Sequence, residues 1–209
     1  MTMKKLSGFT LVELMVVIAI AALVMAFGAP ALTPFIQNGR ITTVTNELVS
    51  AMHVARSEAI RMRSVGCVCP SANSTAVTAG TGNSAAVCTA ADNWEQGWIS
   101  FLESSNDGCA FDGSGADVLL KVWDGSTYGN ELTVRVTNDS NSINDVDQIR
   151  FNSRGVPVTS DGIMQQGVLN ICDSRGVADV NGKSVARGVQ MTIAGSVKST
   201  DRSAIITCP

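Results

Sequence analysis

The chain has 209 residues, of which 15 are basic and 18 acidic, for a formal net charge of −3. Only 16% of residues are charged and 45% are apolar, so it lacks the basic excess of a generic nucleic-acid binder. The length allows one or two domains, and the plentiful Gly, Ser, Thr, Asn and Val suit an exported, turn-rich β domain.

The chain opens on a short leader with Lys4 and Lys5 that ends at Gly8. Phe9-Thr10-Leu11-Val12-Glu13 follows, and no residue from Leu14 to Leu32 is charged. Those 19 residues would form a helix of roughly 28 Å, enough to cross a bilayer core. An ordinary secretory signal is cut after its apolar core. Here the glycine precedes the core, so a cut there would leave the apolar helix on the mature chain. Lys4 and Lys5 would stay cytoplasmic by the positive-inside rule. An uncleaved signal anchor is the plain alternative. Glu13 is costly at the edge of such a helix, on the order of 3 kcal/mol for a charge at the bilayer centre. It either snorkels to the headgroups or finds a cation; Phe9, four residues before it, shares its helix face.

This stretch resembles the type III signal of type IV pilins and pseudopilins. The resemblance implies that a prepilin peptidase cuts after Gly8 and methylates the new amine of Phe9. It also implies that Glu13 pairs with the N-terminal amine of a neighbouring subunit and sets filament register. Loss of residues 1–8 would remove Lys4 and Lys5 and no acid, leaving 13 basic against 18 acidic residues.

Gly28, Pro30 and Pro34 are expected to interrupt the helix, since a proline removes an i−4 hydrogen bond. Pro30 falls where type IV pilins carry a helix-weakening proline, which implies a segment able to kink or melt in the filament. From Ile41 the helical period returns: Ile41, Val44, Leu48, Ala51, Ala55, Ala59 and Met62 form one apolar stripe, suited to packing on a sheet. His53, beside Arg56, reads as a solvated surface residue. Without it no Ser/His/Asp or Cys/His set can be assembled, so no enzyme is expected. Asp112-Gly113-Ser114-Gly115 reads as a turn rather than a phosphate loop.

The helix is expected to end near Arg63. Strand-like runs follow at Ser64–Cys69, Gly97–Glu103, Val118–Asp124, Glu131–Thr137, Gln148–Asn152, Val168–Asp173, Ser184–Ile193 and Ala204–Cys208. Asp107-Gly108, Asp124-Gly125 and Asn181-Gly182 supply turns between them. The pattern predicts an α+β fold, a long helix on an antiparallel β domain. Trp98 is expected to pack inward and Trp94 to cap a sheet edge.

Six cysteines, at 67, 69, 88, 109, 172 and 208, all follow the apolar segment. In an exported domain an even number reads as disulfides. C-x-C is neither a zinc-ribbon nor a thioredoxin spacing, so no metal site or cofactor is expected. Cys172 with Cys208 would join the ends of two C-terminal runs, and Cys69 with Cys88 would close the loop between them. Cys67 is then left for Cys109. Cys67 and Cys69 lie on the same side of a strand, so their partners are interchangeable at this level.

Three blocks narrow the resemblance: Ala55-Arg56-Ser57-Glu58-Ala59-Ile60, Trp94-Glu95-Gln96-Gly97-Trp98, and Gln148-Ile149-Arg150-Phe151 through Gly155. With Leu169-Asn170-Ile171-Cys172 they look like the H-type minor pseudopilins and the FimT/FimU minor pilins. Some members of that group bind DNA through a basic loop of G-R-x-R form. The matching place here reads Gly195-Ser196-Val197-Lys198, with Lys198 and the nearby Arg202 as its only cations, so nucleic acid is not expected as a partner. Arg150, Arg154, Arg175 and Arg187 are the members of any alternative basic patch. The acidic run Asp139–Asp147 lacks EF-hand spacing and reads as a polar loop rather than a calcium site.

The resulting plan is a leader at 1–8, a transmembrane and filament-core helix at 9–34, an amphipathic helix at 35–63 and a disulfide-bonded β domain at 64–209. The resemblance implies a non-enzymatic minor pilin that helps start or cap a type IV pilus. Its expected partners are other minor and major pilins, the prepilin peptidase and the assembly platform of the inner membrane. A minor pseudopilin of a type II secretion system and a DNA receptor of a competence pilus are the alternatives.

Overall fold

A computed structural model describes residues 8–74, 86–89, 93–104, 108–111, 117–125, 131–136, 148–159 and 162–208, with the side chains of 27–31 and of Val180 left out. The chain divides into two compact units, Met1–Gly39 and Arg40–Pro209.

One helix, α1, runs from Leu11 to Met62. It passes through Gly28, Pro30 and Pro34, where the sequence predicts interruptions. A proline deletes only its own bond to the i−4 carbonyl, and the apolar residues on either side keep theirs. The described apolar side chains from Leu14 to Ala26 are exposed. Among the described residues no helix is long and apolar enough to cross a membrane. The predicted 14–32 span includes residues 27–31, which lie outside the described side chains.

In the second unit the helical period is read out as burial. Ile41, Val44, Leu48, Ala51, Met52, Ala55 and Ala59 are all buried. Met62, assigned to the same stripe, is 52% exposed, because the helix ends there and Arg63 turns to a φ of +53°. The small residues bring backbones close. A Cβ added at Gly66 would stand 2.2 Å from the Ala55 carbonyl oxygen, so strand and helix touch with no room for a side chain.

Among the described residues nine strands follow: β1 Val65–Pro70, β2 Gly97–Glu103, β3 Val118–Asp124, β4 Leu132–Val136, β5 Ile149–Phe151, β6 Gly167–Asp173, β7 Asp179–Val180, β8 Lys183–Met191 and β9 Val197–Arg202. They form two antiparallel sheets, ordered β3-β2-β1-β5 and β4-β6-β8-β7, with β9 also paired to β8. The principal core is made by the helix stripe with Val68, Trp98 and Phe151 of the first sheet and Val134, Leu169, Ile171, Val189 and Val197 of the second. The opposite face of the first sheet is buried too, as Cys67, Cys69, Ile99 and Phe101 pack with Cys109 and Phe111. Hence β1 and β2 read as continuous apolar runs rather than alternating ones.

Two sequence expectations change here. Trp94 sits not at a sheet edge but in the core, fully buried in a 3-10 turn, Trp94–Gln96, that leads into β2. Trp98 does pack inward, stacked on Trp123 of the next strand at 3.9 Å between ring centroids. Ala204–Cys208 is not a strand; the final strand is β9, and the apolar tail after it crosses the outer face of the second sheet. Ile206 packs there with Cys172 and Ala186, and the Asn170 amide donates to the Thr207 hydroxyl at 3.3 Å.

Disulfides join Cys67 to Cys109, Cys69 to Cys88 and Cys172 to Cys208. The last closes a separation of 36 residues. In the chain-entropy model its removal costs about 4 kcal/mol. Replacing both Cys172 and Cys208 by alanine should therefore lower the denaturant midpoint of the full-length protein. An unchanged midpoint would show that the tail is held without the bridge.

Candidate processing and assembly site

Gly8, Phe9 and Thr10 precede α1 and are exposed, Phe9 to 81%. Thr10 caps the helix: its hydroxyl oxygen accepts a hydrogen bond from the Glu13 amide at 3.2 Å, and its carbonyl accepts from the Leu14 amide at 3.2 Å. Thr10 and Glu13 thus stand at Ncap and N3, the T-x-x-E spacing of a capping box, with the carboxylate at the positive end of the helix dipole. Glu13 itself is exposed on the first turn. Gly8 and Phe9 thus form an exposed, non-helical segment just before the first turn that carries Glu13; with α1 starting at Leu11, Phe9 does not share a helix face with Glu13 as the four-residue spacing suggests. Pro30 continues the same helix, and its side chain lies outside the description.

Among the described residues, three of the four arginines of the alternative basic patch, Arg150, Arg175 and Arg187, are each engaged with a different partner. Arg150 is buried to 9% exposure and lies 3.1 Å from the carboxylate of Glu103, which is 3% exposed. The other Glu103 oxygen accepts from the amides of Gly108 and Cys109 at 2.7 and 2.9 Å. Arg175 is forked onto Asp173, and Arg187 donates to the Ser184 carbonyl at 2.9 Å. Arg154 is exposed on a turn. Lys198 and Arg202 are exposed on β9, four residues apart and so on one face of that strand; Asp201 between them faces Lys183 at 3.8 Å.

His53 is exposed. Among the described residues one group of metal-ligating type comes together, Cys67, Glu103 and Cys109, with ligand atoms within 4.8 Å of one another. Its two sulfurs are bonded to each other and its carboxylate faces Arg150, so those atoms are already committed. The acidic run 139–147 and the turn 112–115 lie outside the described residues.

Arg56 is the residue whose part the sequence conceals. Its guanidinium donates to the Gly155 carbonyl at 2.9 Å and to the Ala194 carbonyl at 3.2 Å. One helix side chain thereby holds the turn after β5, from the first sheet, and the β8–β9 turn, from the second. The signal was present as three separate blocks, around Arg56, Gly155 and Gly195, with nothing in their spacing to say that they meet.

A family model described as type II transport protein GspH matches residues 44–196, and one described as prokaryotic N-terminal methylation motif matches residues 3–29. Among solved structures, two crystal forms of the type IV minor pilin FimU of Pseudomonas aeruginosa are similar to the chain at 18% identity. One covers 81% of this chain and 94% of the FimU chain with a TM-score of 0.49; the other covers 78% and 94% with a TM-score of 0.46. No curated protein matches at a significant level.

Proposed function

The chain belongs to the GspH family of type II transport proteins, and on that premise we propose that it is a minor pilin of the complex that starts or caps a type IV pilus. The observation that carries this reading is the direct union of a methylation-motif N-terminus, in residues 3–29, with a GspH-type β domain through one continuous helix. The first part supplies a helix that can pack with equivalent helices of other subunits. The second supplies side surfaces for neighbouring pilins.

The proposed path runs from insertion in the inner membrane, with the β domain outside the cytoplasm, through cleavage after Gly8 and methylation of Phe9, to incorporation beside other minor and major pilins. Glu13 would then pair with the amine of an adjacent subunit, and Pro30 would let the helix relax in the fibre. No catalytic role is assigned. The Cys172–Cys208 bridge favours the pilus members over the secretion members of the family, and Lys198 with Arg202 makes too few phosphate contacts for a DNA receptor.

The test is a count of surface pili by electron microscopy in a strain lacking only this gene and in its complemented control. Loss of pili, restored by complementation, is expected. Normal piliation with defective exoprotein release would move the protein to a type II secretion system, and normal piliation with defective DNA uptake to a competence pilus. Independently, intact mass of the membrane-bound protein should place the N-terminus at a methylated Phe9. A retained leader would sink the pilin reading.

A further inference from the structure

The start of α1 bears on how the precursor is cut. The helix begins at Leu11, so Gly8 and Phe9 stay outside it, exposed and in no regular structure. A Cβ built at Gly8 would meet nothing within 4 Å. The boundary is held by Thr10, whose hydroxyl oxygen accepts the Glu13 amide and whose carbonyl accepts the Leu14 amide.

The sequence contains a competing boundary. Ser7 stands three residues before Thr10 and is itself a capping residue type. A helix started there would take Gly8 and Phe9 as its first two helical positions, with the bond between them wrapped into the first turn. A peptidase needs both faces of the scissile amide, which a helical turn hides and an extended segment offers. Thr10 has the better box, because its third following residue is Glu13; the third residue after Ser7 is Thr10, which has no carboxylate to return the bond.

We propose that Thr10 is a positioning residue for processing: by capping α1 at Leu11 it keeps the Gly8–Phe9 bond out of the helix and open to the prepilin peptidase. This rests on the reading of the chain as a prepilin. The test follows cleavage of the full-length precursor in membranes that contain a prepilin peptidase, by intact mass over time. Thr10→Ala should be cut at the same bond about fivefold more slowly, the shift expected from loss of one capping hydroxyl. Thr10→Ser, which keeps the hydroxyl, should be cut at the wild-type rate. Thr10→Ala combined with Ser7→Ala should recover speed, since the upstream cap at Ser7 then no longer draws the helix across the bond; a direct contact of Thr10 with the peptidase would not be rescued this way. Equal rates for wild type and Thr10→Ala, or no recovery in the double variant, would overturn the proposal. A wild-type precursor left uncut would overturn the prepilin reading, and this inference with it.

Discussion

Arg150→Met is expected to destabilise the protein by about 3–5 kcal/mol, the cost of leaving one member of a buried ion pair without the other. For a unit of this size that is a fall in Tm of roughly 6–20 °C. Arg150 lies on β5 in register with Cys67 on β1, and Glu103 closes β2. Glu103 also takes the amides of Gly108 and Cys109, so it anchors the segment that carries the cysteine bridged to Cys67. Ion pair and disulfide hold the same corner of the first sheet. Met preserves most of the stem volume of Arg150, so the loss reports on charge rather than on a cavity. Glu103→Gln should cost a similar amount, because its remaining oxygen still accepts both amides while Arg150 loses its counter-charge. The two substitutions together should cost less than their sum, since no uncompensated charge remains. Thermal unfolding of the full-length protein in detergent measures all three. A loss under about 1 kcal/mol for Arg150→Met would mean that water reaches the pair, as at a surface ion pair.

Neither partner of that pair stands out in the sequence, where Arg150 reads as one of four scattered arginines. What was legible depended on local pattern. The α1 stripe from Ile41 to Ala59 follows the 3.6 period and is buried as that period requires. Most strand positions were legible because β1, β2, β6 and β8 are apolar on the core side and bounded by turns. The final strand was misplaced for a physical reason. β9 is an edge strand whose one core residue is Val197, and Lys198-Ser199-Thr200-Asp201-Arg202 looks like a loop. The tail after it is apolar because it lies over the second sheet, with Ile206 against Cys172 and Ala186, and so it reads as a strand. Trp94 reads as a sheet-edge cap in the sequence, whereas the 3-10 turn that precedes β2 folds it back into the core. At the N-terminus Gly8, Phe9 and Glu13 were legible from type and spacing, while Thr10 became informative only once its hydrogen bond was seen.

The second large effect is expected at Gly195, in the turn between β8 and β9, the place where the sequence lacks the two arginines of the DNA-binding members it resembles. Gly195 is buried, has a φ of +78°, and would place a Cβ 2.1 Å from the Gly155 carbonyl oxygen and 2.9 Å from the Arg56 guanidinium. The same Gly155 oxygen accepts the Arg56 hydrogen bond, so it cannot withdraw without breaking that bond. Gly195→Ala therefore combines left-handed strain, about 1–2 kcal/mol, with overpacking of about 1–3 kcal/mol. A total near 3 kcal/mol is expected, or roughly 6–12 °C in Tm. Arg56→Met should cost about 2 kcal/mol, because the Gly155 and Ala194 carbonyls lose their donor while Arg56 itself is only partly buried. The two losses should be less than additive, since both separate the same pair of turns. Gly195→Asn decides between the causes. Asparagine tolerates the left-handed region, so if strain alone made the glycine necessary the variant would regain most of the stability. If close approach of the two turns is the cause, it will be at least as damaging as alanine. The 2.1 Å contact predicts the second result, which makes Gly195 a packing residue of the two-sheet junction rather than the opening of a ligand loop.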